Sequence, residues 1–207
     1  SIVNAGTITG GQLDGVMLVG GGSITNSGTI ANVAASEAGT PDGVSGFTDV
    51  HDKFGAGDIA LQLDNLAGGE IVSVGRGVAF SSGGVVNNDG LIEGGDLGIL
   101  IQAYTEQQSY FTAEINNNAD GVIRSFSSEF DGAGISLGGF LASSTVNNAG
   151  LIDAANQGIK IESDNATVTN DGDILGGGPG MKTGDESNGV YVTNKAGASI
   201  IGADNDG

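Results

Sequence analysis

The chain has 207 residues, of which 40 are Gly, two are Pro and none is Cys, and its formal net charge is −19 at pH 7. The lack of Cys excludes disulfides and cysteine-based metal sites, and no apolar run approaches the roughly 18 residues that a membrane span needs. The acidic balance argues against nucleic acid and anionic membrane surfaces as partners, because both attract cationic side chains.

A motif of five residues, Asn-x-Gly-x-Ile, recurs along the whole chain. A longer variant, Asn-x-Ala-x-(Gly/Ala)-x-Ile, takes its place in some of the repeats. Successive motif asparagines lie 22, 39, 23, 29, 31, 22 and 24 residues apart. The base unit is therefore about 23 residues long, and the longer spacings indicate insertions. The motif asparagines are Asn4, Asn26, Asn65, Asn88, Asn117, Asn148, Asn170 and Asn194.

A second element alternates with the first along the chain. It is a Gly followed by three residues, of which the first and the third are apolar. Within each element, apolar residues alternate with others, and this period of two predicts short strands with one buried face. Gly, Asn and Asp punctuate these strands, as tight bends require. We identify the element at residues 14–18, 76–80, 97–101, 134–137, 157–161 and 188–192, and residues 58–61 fit it without the Gly.

A repeat of this length with two or three short strands predicts one coil of a β-solenoid. We therefore predict an all-β fold, a parallel β-helix of about eight coils. It would occupy residues 1–207 as a single segment, with insertions near 33–56, 102–113 and 124–133. Each coil would rise by roughly 4.8 Å, so that the eight coils form a rod of roughly 40 Å.

Two residues of the motif have predicted roles in this architecture. The Ile of each coil would stack on its counterparts above and below. The eight asparagines would form a ladder at a bend, with side-chain amides bonded to each other and to the backbone of the next coil; the alternative is a turn Asn that points to solvent. Both ends of the sequence fall within a motif, so we expect a segment of a longer protein or a subunit that stacks end to end.

The spacing of Asn-x-Gly-x-Ile and Gly-(Val/Ile)-x-(Leu/Ile/Val) resembles the passenger regions of bacterial autotransporters and related large surface adhesins. The resemblance covers essentially the whole chain. It implies a right-handed parallel β-helix, export across the outer membrane, and surface display with adhesive, aggregative or biofilm roles. The translocating barrel and the signal sequence of that family are not in this sequence.

The predicted insertions hold most of the aromatic residues. They could form a contact platform for sugars or a protein partner, or they could fold back over the flank of the solenoid. The aromatic residues concerned are Phe47, Phe54, Tyr104, Tyr110, Phe111, Phe126 and Phe130.

Calcium is a candidate ligand because Ca²⁺ prefers loop carboxylates and carbonyls. Two acidic groups could supply them, although neither has EF-hand spacing, and solvated acidic turns are the alternative. The first group is Asp42, Asp49, Asp52 and Asp58, and the second is Asp185, Glu186 and Asn188. We expect no required cofactor.

Gly134–Gly138 fits the Gly-x-Ser-x-Gly nucleophile elbow, but that elbow needs a following helix. Ser136 instead occupies a variable, outward position of a repeated strand, and His51 is the sole His. A polysaccharide lyase or hydrolase is the enzymatic alternative: a hydrolase would need two facing carboxylates, and a lyase would need cations, of which only Arg76 and Arg124 share a plausible face.

We therefore expect a structural or adhesive segment of a bacterial surface protein and not an enzyme. The partners would be neighbouring copies, other surface proteins or glycans, and the location extracellular or on the cell surface. The alternatives are a self-assembling filament subunit and a polysaccharide-degrading β-helix enzyme.

Overall fold

The computed structural model describes residues 1–34, 41–47, 61–104, 111–129, 131–184 and 187–203. In these ranges every helix or strand is a β-strand, and the strands number 23. Successive strands belong to three parallel sheets in turn, so that each set of three strands makes one coil. The predicted parallel β-helix is confirmed. No helix in the described ranges is long and apolar enough to cross a membrane.

The three sheets run along the solenoid axis. Sheet 1 contains β1 (Ile2–Asn4), β4 (Gly22–Asn26), β7 (Leu61–Asn65), β10 (Gly84–Asn88), β13 (Thr112–Asn117), β16 (Ser143–Asn148), β19 (Ala166–Asn170) and β22 (Tyr191–Asn194). Sheet 2 contains β2 (Thr7–Gly10), β5 (Thr29–Asn32), β8 (Glu70–Ser73), β11 (Leu91–Gly94), β14 (Val122–Ser125), β17 (Leu151–Ala154), β20 (Asp173–Gly176) and β23 (Ser199–Gly202). Sheet 3 contains β3 (Val16–Val19), β6 (Val44–Phe47), β9 (Arg76–Phe80), β12 (Leu97–Ala103), β15 (Ala133–Gly139), β18 (Gln157–Ile161) and β21 (Met181–Thr183).

The motif isoleucines form one continuous column inside sheet 2. Each lies directly opposite its counterpart in the next coil. The six central members are fully buried, and the two end members are partly buried against the same core. Stacking identical branched side chains packs each isoleucine closely against the next. The column is Ile8, Ile30, Ile71, Ile92, Ile123, Ile152, Ile174 and Ile200.

The Gly of the second element is required by a close approach at the corner that enters sheet 3. A Cβ atom on Gly98 would lie 2.5 Å from the carbonyl oxygen of Gly134 in the next coil and 2.7 Å from Cγ2 of Ile123. Both atoms belong to the packed interior, so neither can move freely. The corner glycines of the other coils, such as Gly77 and Gly158, meet the same two obstacles.

The predicted insertion at 33–56 contains a strand that completes the second coil. β6 pairs with β3 on one side and with β9 on the other. Its inner position is Gly46, where five of the other six strands of sheet 3 have a large apolar residue, and side chains of Leu61 and Phe80 fill the space beside it. Because that apolar residue is absent, the alternation of apolar and other residues that marks a strand was hidden in the sequence.

The other two predicted insertions, at 102–113 and 124–133, are shorter than expected. The ends of β12 and β13 occupy part of the first, and the ends of β14 and β15 occupy part of the second.

The prediction that residues 188–192 form a Gly-led strand of the second kind is wrong. Tyr191 pairs with Thr167 in sheet 1, and the strand ends at the motif residue Asn194. The sheet 3 strand of the seventh coil is β21 instead, whose Met181 takes the inward position. For residues 58–61, the part inside the described ranges, Leu61, begins β7 of sheet 1 and not a strand of sheet 3.

Substitution of Gly98 by Ala tests the close corner. We expect it to lower the free energy of unfolding by about 2–3 kcal/mol, because the added methyl group overpacks two coils. Urea unfolding measures this. Gly11→Ala is the matched control, since a Cβ there meets nothing within 4 Å, and its effect should stay within about 0.5 kcal/mol. Equal effects of both changes would contradict this account of the corner.

Candidate functional site

Each of the eight motif asparagines is joined to the next by a side-chain hydrogen bond. The seven Nδ2···Oδ1 distances lie between 2.7 and 2.9 Å. In every bond the Asn of the earlier coil donates to the Asn of the later coil, so the ladder has one direction along the rod. We call these eight residues the inner ladder: Asn4, Asn26, Asn65, Asn88, Asn117, Asn148, Asn170 and Asn194.

The inner ladder also holds the corner between sheets 1 and 2. The Nδ2 of Asn117 donates to the carbonyl of Gly121 in its own corner and to that of Leu151 in the next coil, both at 3.2 Å. Asn117 itself is 1% exposed. A buried amide that satisfies several backbone carbonyls is costly to remove, because its partners lose their hydrogen bonds away from water. The ladder therefore fixes the register of the coils.

A second row of amides lies on the outer side of sheet 1. The Nδ2 of Asn87 donates to Asp64 at 2.7 Å, Asn116 donates to Asn87 at 2.9 Å, and Asn147 donates to Asn116 at 2.9 Å. Here the later coil donates to the earlier one, opposite to the inner ladder. An ionised Asp64 can only accept, which sets this direction. We call these four residues the outer row.

The outer row was not identified from the sequence, although a signal for it exists. Asn87, Asn116 and Asn147 each directly precede an inner-ladder Asn, so the chain contains three Asn-Asn doublets. Successive strand residues point to opposite faces. One Asn of each doublet therefore faces the core and the other faces outward.

The outer row belongs to a broad polar surface, which we call the amide face. It comprises two parallel rows of outward residues on sheet 1, from β4 to β22. Amides and hydroxyls dominate both rows, and Asp64 and Glu114 are the charged members. The first row is Thr25, Asp64, Asn87, Asn116, Asn147, Thr169 and Thr193, and the second is Ser23, Gln62, Val85, Glu114, Thr145, Thr167 and Tyr191.

A cleft of about 310 Å³ adjoins the amide face. The outer-row residues Asn116 and Asn147 line it together with Thr169 and the ion pair of Lys195 with Asp171, whose Nζ···Oδ2 distance is 3.1 Å. The cleft therefore presents amides, a hydroxyl and one balanced pair of charges.

The two arginines that were expected to share a coil face do not converge. Arg124 lies on the outer side of sheet 2 between Glu93 and Asp153, at 3.8 and 3.4 Å. Arg76 begins β9 of sheet 3 and makes a two-point contact with Asp42, from Nε at 2.7 Å and from a terminal nitrogen at 3.0 Å. Each guanidinium is already neutralised by carboxylates of its own face.

Asp42 is the most strongly perturbed carboxyl of the described residues. Its backbone N–H donates to Asp14, and its carboxylate is only 5% exposed. Burial raises the pKa of Asp42 to about 6, against the opposing effect of the Arg76 hydrogen bond. Burial lowers the pKa of Arg76, but the bond to Asp42 outweighs it, so that this pKa lies above its ordinary value. Asp42 thus serves a buried ion pair.

Ser136 pairs in register with Lys160 on sheet 3. The variable position that they share was expected to face solvent. Met17 in the first coil is 53% exposed, but Ala79, Leu100, Ser136 and Lys160 in later coils are buried. Burial lowers the pKa of Lys160, but its bonds to Asp131 and Glu162, at 2.9 and 3.0 Å, raise it above the ordinary value. Lys160 is therefore held protonated, which is the opposite of what a general base for Ser136 would need.

The aromatic residues divide into exposed and packed ones. Tyr104 and Phe126 are 57% and 59% exposed, and Phe47 is 40% exposed. Phe111 packs against the hydrophobic core, as the alternative interpretation of these loops predicted. Phe54, Tyr110 and Phe130 lie outside the described residues, as does His51.

The acidic groups considered for calcium are only partly described. Asp42 is engaged with Arg76, and Asn188 bonds to Asp164 through both its backbone N–H and its side chain. Asp49, Asp52, Asp58, Asp185 and Glu186 lie outside the described residues. Among the residues that the structure describes, no group of three or more His, Cys, Asp or Glu side chains could hold a metal ion.

Comparison with known proteins leaves the site to be judged on its own geometry. No protein-family model matches the chain, and no curated protein and no solved structure matches it.

Removal of one inner-ladder amide tests the role of the ladder. We expect Asn117→Ala to lower the free energy of unfolding by about 3–5 kcal/mol, because Asn88, Asn148 and the carbonyls of the corner each lose a buried hydrogen bond and a cavity remains. Asn116→Ala is the control, since it removes the adjacent, half-buried amide of the outer row and should cost about 1 kcal/mol or less. Urea denaturation of both variants measures the difference. A similar loss in both would show that burial of the ladder does not matter.

The raised pKa of Asp42 predicts a pH dependence. Between the ordinary value of 3.8 and about 6, folded Asp42 holds a proton that the unfolded chain releases. The free energy of unfolding should therefore fall as the pH rises through this window, by about 3 kcal/mol from this group. When unfolding is measured at several pH values, the Asp42→Asn variant should lack this part of the decrease in the free energy of unfolding with pH. Parallel curves for the variant and the wild type would contradict the assignment.

Proposed function

We propose that the chain is an extracellular structural and adhesive segment of a bacterial surface protein, a stiff rod that presents side chains to cell-surface, matrix or biofilm partners. The observation that carries this proposal is the inner ladder. It joins all eight coils through seven hydrogen bonds, of which six are buried and the last is partly buried. A rod stacked in one register keeps its outward side chains at fixed, repeated positions. Several weak contacts can then act together.

The exposed surface supports contact with uncharged or cationic partners. The net charge of −19 disfavours anionic surfaces, because like charges repel. Phe47, Tyr104 and Phe126 expose aromatic rings beside the coils, and aromatic side chains are frequent anchors in interfaces. Calcium could bridge acidic residues of this chain and a partner, but the proposal does not depend on it.

A polysaccharide-degrading enzyme has less support than an adhesive segment. Hydrolysis would need two carboxylates that face each other across the substrate. The cleft beside the amide face has one lining carboxylate, Asp171, and it is paired with Lys195.

End-to-end assembly is the second candidate, and the direction of the inner ladder favours it. At one end, the Oδ1 of Asn4 accepts, among the described residues, only from the N–H of Gly6. At the other end, the Nδ2 of Asn194 donates to the carbonyl of Ala198. One end can therefore accept and the other donate. A further coil from the same chain or from another copy could continue the ladder at either end.

Light scattering of the purified chain, with calcium and with chelator, distinguishes a passive adhesive segment from a self-assembling subunit. Growth of the measured mass into long species supports assembly.

Adhesion of coated beads tests the proposed function. We expect beads that carry the chain to adhere to a biofilm matrix more strongly than albumin-coated beads. A triple variant, Phe47→Ser, Tyr104→Ser and Phe126→Ser, should lose most of this adhesion, because it removes the exposed aromatic anchors. The control variant Leu13→Ser, Leu66→Ser and Val74→Ser removes three exposed aliphatic side chains and should adhere normally. Wild-type adhesion no better than that of albumin would refute the function.

A further inference from the structure

We propose that the amide face binds a neutral polysaccharide strand that lies along the axis of the rod. This inference rests on the proposed function, because it names the class of partner that the surface segment would contact. It assigns the glycan contact to the outer side of sheet 1, which is separate from the exposed aromatic side chains proposed above as anchors for other matrix partners.

The charge of the amide face selects an uncharged ligand. Within a chain of net charge −19, its two rows contain only Asp64 and Glu114 as ionisable carboxylates. Both carboxylates accept hydrogen bonds from amides of the face: Gln62 and Asn87 donate to Asp64, and Asn116 donates to Glu114 at 2.9 Å. A polyanionic strand would be repelled by the rest of the molecule. A polycation would find little to pair with on this face.

The outer row has hydrogen-bonding capacity left for a ligand. An Asn side chain has two N–H donors and an oxygen with two lone pairs. In the described part of the chain, the row bonds use one hydrogen of Asn87 and one hydrogen of Asn147. Asn87 and Asn147 each keep one donor beside acceptor lone pairs, whereas Asn116 donates to both Asn87 and Glu114 and offers only the lone pairs of its oxygen. Neighbouring hydroxyls of a sugar need this combination, since each hydroxyl both donates and accepts.

The spacing of the face suits an extended chain of sugars. Neighbouring coils are separated by roughly 4.8 Å, and the two rows by the roughly 6.8 Å that two strand residues span. An extended β-linked glycan advances by a distance per sugar similar to one coil. One sugar could therefore contact each coil over the length of the outer row.

The residue types of the amide face and the cleft beside it fit a glycan partner better than a protein partner. Protein interfaces concentrate their affinity in buried Trp, Tyr and Arg anchors, and the two rows contain only Tyr191 of these, at the last coil. Tyr191 is 69% exposed and could stack against the apolar side of a sugar ring. The cleft lined by Asn116, Asn147 and Thr169 gives a ring substituent room beside the row.

Titration of the isotope-labelled chain with hexasaccharides tests the proposal by NMR. The neutral probes are cellohexaose and xylohexaose, and the anionic probe is hexagalacturonate. We expect a neutral probe to shift the side-chain amide signals of Asn87, Asn116 and Asn147. The variant Asn87→Val, Asn116→Val and Asn147→Val keeps strand-forming residues on the face and should weaken this binding by at least about tenfold.

The control variant changes the outer face of sheet 2 in the same coils, through Leu91→Thr, Val122→Thr and Leu151→Thr, and should bind as the wild type does. Circular dichroism checks that both variants fold. Three results would overturn the proposal: neither neutral probe shifts the amide face, the shifts gather on Tyr104 and Phe126, or hexagalacturonate binds equally well. Bead adhesion that survives in the Asn→Val variant would leave the proposed function intact while refuting this inference.

Discussion

Parallel stacking in one register is the constraint on which the rest of the molecule depends. Because every coil lies roughly 4.8 Å above the last, each inward side chain is covered by the one at the same position in the next coil. A buried polar residue in such a column needs a hydrogen-bond partner, and a buried apolar one packs well on a side chain of the same shape. The motif Asn and the motif Ile are the two solutions that this chain uses. They form the inner ladder and the buried column of sheet 2.

The two amide systems of sheet 1 have different tasks although they are adjacent in the sequence. The inner ladder is buried and bonds to backbone carbonyls, so it holds the corner and the register. The outer row is accessible to solvent, and its bonds run in the opposite direction because Asp64 can only accept. The inner ladder thereby provides the rigid support on which the outer amides keep their spacing. Affinity for an extended ligand would follow from that preorganisation, because few rotamers remain to be fixed on binding.

The repeat was sufficient to predict the coils, the buried isoleucines and the positions of the asparagines, because those features recur with a fixed spacing. It was insufficient where one coil departs from the pattern. β6 was missed because Gly46 replaces an apolar residue, and residues 188–192 were placed in the wrong sheet because they imitate the Gly-led element. The pair of Asp42 and Arg76 was also beyond reach, since it joins residues 34 positions apart across coils whose loop lengths differ. The outer row could have been predicted from the Asn-Asn doublets once the inward Asn of each was known.

Hydrogen exchange of the asparagine side chains tests the central claim most directly. If the inner ladder is a continuous buried structure, the Nδ2 protons of Asn88, Asn117 and Asn148 should exchange only when the central coils unfold. Those of their outer neighbours Asn87, Asn116 and Asn147 should exchange much faster under the same conditions, since local motion is enough to release them. Exchange at the same rate in both sets would show that the inner amides are open to water, and the account of the rod as a structure held by its inner ladder would then be wrong.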